Sequence, residues 1–192
     1  MAPRFLILHG LGGSGIGHWQ AWIAKRLRDH GAWVSFPELP ESDAPRLAAW
    51  REVLDRELRE LADGEGERVI LSHSLGAVLW LWQAPSVDAS MRADRVLLVA
   101  PPCSAREHPE IGEFLPVEVD VASVARAAGE TRLVCSDDDP HCPAGACAVY
   151  GEPLQLAIEL IPGAGHLNTD AGYGAWPHLE AWCLGRRPTV AW

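Results

Sequence analysis

The chain has 192 residues, 48% of them hydrophobic, which suits one domain around a well-buried core and excludes a disordered or fibrous class. The formal charge of −10, with Lys25 the only lysine and the arginines scattered, argues against a nucleic-acid partner, because phosphates demand concentrated cations. No apolar run nears the ~20 residues of a membrane helix, so no membrane role is expected.

In chain order, residues 4–8 read as a first strand. The opening segment ends in His-Gly without a small-residue cleavage site, so it is not read as an export signal. A helix is expected over 18–29, with Trp19, Trp22, Ile23 and Leu27 at helical spacing, and a strand over 32–36. A second helix over 45–62 carries Leu47, Trp50, Leu54, Leu58 and Leu61 on one face, with charges opposite. Strands follow at 68–71, 95–99, 131–135 and 156–161. Helices are expected after Ser74 and over 121–128, 143–150 and 176–184. The strands are nearly continuous apolar runs rather than alternating ones, the pattern of strands buried on both faces. The expectation is an α/β fold: a compact, lidless, mostly parallel sheet of about six strands with helices on both faces, and residues 1–192 as a single domain. Residues 101–120 lack a period and read as a loop, with Phe114 and Leu115 as an apolar wall for substrate.

The most informative segment is Ser72-His73-Ser74-Leu75-Gly76, set between a buried strand and an apolar helix. That context makes Ser74 the expected nucleophile on a sharp turn, whose flanking positions must be small. Gly76 obeys the rule, and Ser72 stands where a glycine is usual. The plainer alternative is that Ser74 merely caps the helix.

A serine hydroxyl needs a base within hydrogen-bond reach, and the base needs a partner that fixes its tautomer. Asp137-Asp138-Asp139-Pro140 follows one strand and Gly163-Ala164-Gly165-His166 the next, in the chain order nucleophile, acid, base. His166 is expected as base. Asp139 is expected as acid because Pro140 favours an extended backbone before it. Asp137 and Asp138 are expected as solvated turn carboxylates, and His73 as packing against strand ends. The glycine-rich loop from His9 to Gly15 formally matches a dinucleotide pattern, but no acidic residue clearly closes a second strand. Its expected role is to supply a backbone donor to an oxyanion: the Leu75 and Leu11 N–H groups, with Gly12 as substitute for Leu11.

Together these segments resemble the small serine hydrolases that include retinoblastoma-binding protein 9 and the bacterial YdeN proteins. The resemblance runs through His9-Gly10-x-Gly12, His18-Trp19 and Trp22, the Ser72–Ala77 turn, and Leu98-Val99-Ala100-Pro101-Pro102. It continues through Ser136 to Cys142 and Gly165-His166-Leu167-Asn168, and the stretch Gly172-Tyr173-Gly174-Ala175-Trp176-Pro177 is similar to the bacterial branch. It implies a lidless α/β-hydrolase with serine, aspartate and histidine placed as above. The expected activity is hydrolysis of small carboxylic esters, with thioesters or activated amides as related substrates. The partner is then a small-molecule ester.

Two alternatives stand beside it: a non-catalytic binding or scaffold protein on the same fold, and a metalloenzyme using His141, Cys142, Cys147, His166 or the aspartates. The metal reading is poor, because no second cysteine pair matches the first. No cofactor and no metal are expected, and the oligomeric state is left open. The five cysteines, Cys103, Cys135, Cys142, Cys147 and Cys183, are expected as reduced thiols in a cytoplasmic protein.

Overall fold

A computed structural model describes residues 2–186. Six strands form one sheet in the order β2-β1-β3-β4-β5-β6. These are β1 (Arg4–Leu8), β2 (Trp33–Ser35), β3 (Arg68–His73), β4 (Ala93–Val99), β5 (Ala128–Ser136) and β6 (Ala157–Ile161), and every pairing is parallel. The helices are α1 (Trp19–Asp29), α2 (Leu47–Ala62), α3 (Leu75–Gln83), α4 (Val121–Ala127) and α5 (Pro177–Cys183). Where a helix was expected over 143–150, a short π-helical turn covers Cys147–Gly151.

Two apolar clusters flank the sheet. On one face, Trp50, Leu54, Leu58 and Leu61 of α2 and the body of α3 pack against Leu6, Leu8, Ile70 and Leu98. On the other, Trp19, Ile23 and Leu27 of α1 and Leu179 of α5 cover Phe5, Ile7, Val69 and Leu97. Helix α3 is buried almost all round, which explains a sequence with no polar stripe. Each large side chain taken fully from water contributes about 1.5–3 kcal/mol before entropy is set against it. The β6 run departs from the expectation of double-sided burial. It is an edge strand, and Ile158 and Leu160 stay partly exposed.

The strand register aligns the carboxyl ends that matter: Leu8 pairs with Ser72, His73 with Val99, and Ser136 with Ile161. The loops after β1, β3, β5 and β6 therefore open on one edge. The chain reverses direction across the sheet between β1 and β3, where open α/β sheets leave a crevice.

Segment 101–120 does not simply drape over that edge. A 3₁₀ turn, Pro109–Phe114, plugs Phe114 into the core against Trp50, ring centroids 5.3 Å apart. The Trp82 Nε1–H donates to the Phe114 carbonyl at 2.9 Å, and Glu113 accepts from the Leu47 N–H at the start of α2.

The cysteine expectation is corrected. Cys103 and Cys142 form a disulfide between the post-β4 and post-β5 loops, so this pair is not reduced. That bond removes part of the ground for a cytoplasmic setting, since disulfides persist in oxidising compartments. Cys135, Cys147 and Cys183 are free thiols, with Cys135 Sγ 2.9 Å from Cys147 Sγ. No helix among the described residues is long and apolar enough to cross a membrane.

Candidate active site

Ser74 sits between β3 and α3 with φ 53° and ψ −124°, a backbone conformation costly for a residue with a side chain. Its N–H donates to the Val99 carbonyl at 2.8 Å, and its carbonyl accepts from Ala77 at 3.0 Å. The turn is possible because its neighbours are small. A Cβ on Gly76 would lie 2.6 Å from the carbonyl oxygens of both Leu8 and His9. Ser72 fits in place of the usual glycine because its buried hydroxyl donates to the Leu97 carbonyl at 2.9 Å. Ser74 makes no side-chain cap to α3, so the plain capping alternative does not describe it.

The Ser74 hydroxyl lies 2.9 Å from His166 Nε2 instead. His166 Nδ1 faces both oxygens of Asp139, at 2.9 and 3.0 Å, and all but a few per cent of each side chain is buried. A carboxylate accepts only, so Nδ1 carries the proton and Nε2 is left to accept from Ser74. Asp139 Oδ1 also accepts from the His141 N–H at 2.9 Å. His73, expected only to pack, has Nε2 2.9 Å from the His166 carbonyl and so ties the backbone of that residue to β3. Its position within the turn sequence was the only signal for this.

In the loop after β1 two N–H groups are taken up by carbonyls, and Leu11 N–H is among those that are not. Gly12 N–H donates to the Ser42 carbonyl at 2.9 Å and Gly13 N–H to the Gly10 carbonyl at 3.2 Å, which removes Gly12 as a substitute donor. Leu11 N–H has no such partner among the described residues, and Leu75 N–H lies in the first turn of α3, where N–H groups have no intrahelical acceptor. The loop is anchored by two side chains. His9 Nε2 accepts from the Leu39 N–H at 2.9 Å, so Nδ1–H donates to the Gly10 carbonyl at 2.8 Å. Gln20 Nε2 donates to the Leu8 carbonyl at 2.8 Å while its oxygen accepts from Ser14 at 2.7 Å.

These groups border a cavity of 270 Å³. Leu11, Ile16, Pro102 and Ile111 supply its apolar surface, and no lysine, arginine, aspartate or glutamate lines it. Phe114 and Leu115 do not reach it. Phe114 is consumed by the core and Leu115 packs beside it, while Ile111, one 3₁₀ turn earlier, stands at the cavity. A row of imidazoles crosses the site, with ring centroids 4.9 Å apart for His18–His73, 4.9 Å for His73–His166 and 4.3 Å for His166–His141. Burial pushes His18 down to about 4, and burial also lowers His73 well below and His141 below the ordinary histidine range. Those three rings are neutral near pH 7, so they bring no positive charge to the cavity.

The metal-ligand set does not assemble. Cys142 is bonded to Cys103 and both ring nitrogens of His166 are engaged. Among the described residues no three His, Cys, Asp or Glu side chains converge on a point.

The family model described as serine hydrolase matches residues 5–183. YdeN of Bacillus subtilis strain 168 is 23% identical over 180 residues, 92% of each chain. Its crystal structure superposes with a TM-score of 0.81 at 21% identity, covering 96% of this chain and 98% of that one. A YdeN-like protein from Pectobacterium atrosepticum gives 0.71 at 21% identity, over 94% and 88% of the two chains. The esterase domain of a Rhodothermus marinus protein gives 0.61 at 15% identity, over 90% and 82%. All three share the α/β-hydrolase fold with this chain.

Proposed function

Because the chain belongs to the serine hydrolase family, we propose that it cleaves small, uncharged carboxylic esters through an acyl-enzyme on Ser74. The observation that carries this reading is the unbroken hydrogen-bond line from Ser74 Oγ through His166 to Asp139 at the cavity. Ser74 Oγ attacks the carbonyl carbon while His166 Nε2 takes its proton, and the oxyanion is received by the Leu75 and Leu11 N–H groups. Collapse expels the alcohol, which takes the proton back from Nε2. Water then repeats the sequence on the acyl-enzyme and frees the acid. Asp139 keeps the proton on Nδ1 and stabilises the imidazolium as it forms. The absence of lysine and arginine from the lining supports an uncharged substrate, since a buried carboxylate or phosphate would find no ammonium or guanidinium to offset its lost hydration.

The test is labelling by a fluorophosphonate, located by mass spectrometry, beside turnover of p-nitrophenyl butyrate. Ser74 should carry the label, and Ser74→Ala should abolish both signals. Undiminished labelling in that variant would move the nucleophile elsewhere, and no labelling of the wild type would favour a binding protein on this fold.

A further inference from the structure

Asp137 and Asp138 were expected to be solvated turn residues, yet both are tied to the loop that carries His166. Three consecutive backbone N–H groups of that loop meet three consecutive side chains of the segment after β5. Gly163 N–H donates to Asp137 Oδ1 at 2.8 Å, Ala164 N–H to Ser136 Oγ at 2.8 Å, and Gly165 N–H to Asp138 Oδ1 at 2.7 Å. Ser136 Oγ in turn donates to the same Asp138 Oδ1 at 2.5 Å and braces the set crosswise. Gly163 and Gly165 sit at φ +67° and +55°, a left-handed turn that directs neighbouring N–H groups to one side.

We propose that Ser136, Asp137 and Asp138 form a positioning clamp that sets the distance between Asp139 and His166. The reasoning is one of adjacency. Residues 136–138 end one peptide before the acid, and residues 163–165 end one peptide before the base. Sheet pairing delivers Ser136 opposite Ile161 and stops there, so nothing in the ladder fixes the turn that follows β6. The three side-chain bonds continue the pairing across that gap. A base must be held within about 0.5 Å of its working place, which two free loops cannot do. The Ser136 hydroxyl and the Gly165 N–H also hold the Asp138 carboxyl below the usual carboxylate range, as an acceptor set of this kind requires.

The clamp rests on the reading of Ser74, His166 and Asp139 as the working triad. Its test compares Asp138→Ala, Asp138→Asn and Ser136→Ala with Ser74→Ala on p-nitrophenyl butyrate, with a melting curve for each. Asp138→Ala and Ser136→Ala should lower kcat about ten- to a hundredfold and leave KM within about twofold, because positioning is lost and the cavity is not. Asp138→Asn should stay within about threefold of wild type, since an amide oxygen can accept from both Ser136 and Gly165. The clamp is overturned by wild-type kcat in Asp138→Ala, by Asp138→Asn falling as far as Asp138→Ala, or by a change confined to KM. If Asp138→Ala does not fold, Ser136→Ala decides by the same split of kcat from KM. A fully active Ser74→Ala would overturn the triad reading and the clamp with it. An inactive Ser74→Ala beside a fully active Asp138→Ala would remove the clamp alone.

Discussion

Gly10→Ala offers a one-methyl probe of the site. Gly10 lies on the loop after β1 with a backbone that is not in the left-handed region, so alanine imposes no dihedral penalty there. Its Cβ, however, would sit 2.7 Å from Ser74 Cβ, 3.1 Å from Ser74 Oγ and 3.3 Å from the Leu75 nitrogen. Carbon atoms in contact prefer about 3.5 Å, so the loop and the serine must part by roughly 0.8 Å. Neither side yields easily: Ser74 is pinned by its N–H on Val99, and the loop by His9 and Gln20. Overpacking of this kind costs about 1–3 kcal/mol of stability. Its effect on catalysis should be larger, because it strikes the proposed nucleophile and a proposed oxyanion donor together. A displacement near 1 Å is worth about a hundredfold in rate. The assay is kcat/KM on p-nitrophenyl butyrate with the fluorophosphonate labelling rate, beside a thermal melt. A folded Gly10→Ala variant within twofold of wild type in both rates would refute this geometry of serine and loop.

Three further outcomes are expected. Acetate to butyrate esters should be preferred over octanoate and longer, since a 270 Å³ cavity leaves distal methylenes in water at a loss of about 0.8 kcal/mol each; a kcat/KM still climbing at dodecanoate would refute it. Reducing Cys103–Cys142, which spans 39 residues, should remove about 4 kcal/mol of stability on the chain-entropy account. A Cys103→Ser, Cys142→Ser variant should match the reduced protein in Tm, and equal Tm with and without dithiothreitol would contradict the cross-link. Finally, His18, His73 and His141 have folded-state pKa values lowered by burial, to about 4 for His18, whereas the unfolded chain titrates near its ordinary ~6.5. The unfolded state therefore binds protons first, and stability should fall from about pH 6.5 toward about pH 4. His18→Asn keeps an acceptor for the Gln20 N–H and cannot titrate, so it should flatten the decline of Tm between pH 7 and 5; an unchanged slope would sink the assignment.

The sheet was legible because its signal is local. Phe5–Leu8, Val69–Leu71 and Val96–Val99 are apolar without alternation, and each is buried on both faces. Helix α2 was legible for the same reason: Trp50, Leu54, Leu58 and Leu61 recur at helical spacing and all face the sheet. The placement of Ser74, Asp139 and His166 at one edge of the sheet was legible through these elements. Each follows a readable strand, and a parallel sheet must bring such positions to one edge. The structure sets Ser74, His166 and Asp139 in hydrogen-bond contact there.

What the sequence hid depends on pairings between distant segments that leave no periodic trace. Ile111 and Phe114 are both apolar and three residues apart, yet only the depth of the 3₁₀ turn decides which meets the cavity and which meets Trp50. Cys103 and Cys142 are bonded because the post-β4 and post-β5 loops run side by side, with Cys103 N–H donating to the His141 carbonyl at 3.1 Å. Asp-Asp-Asp and Gly-Ala-Gly are the sharpest case. Read singly, each is turn composition, carboxylates for solvent and glycines for bending. Placed opposite one another by β5 and β6, acceptors face donors, and two nondescript turns become one rigid frame. A carboxylate beside a proposed catalytic acid therefore should not be assigned to solvent from its neighbours in sequence alone. The deciding question is which backbone donors the next strand delivers to it.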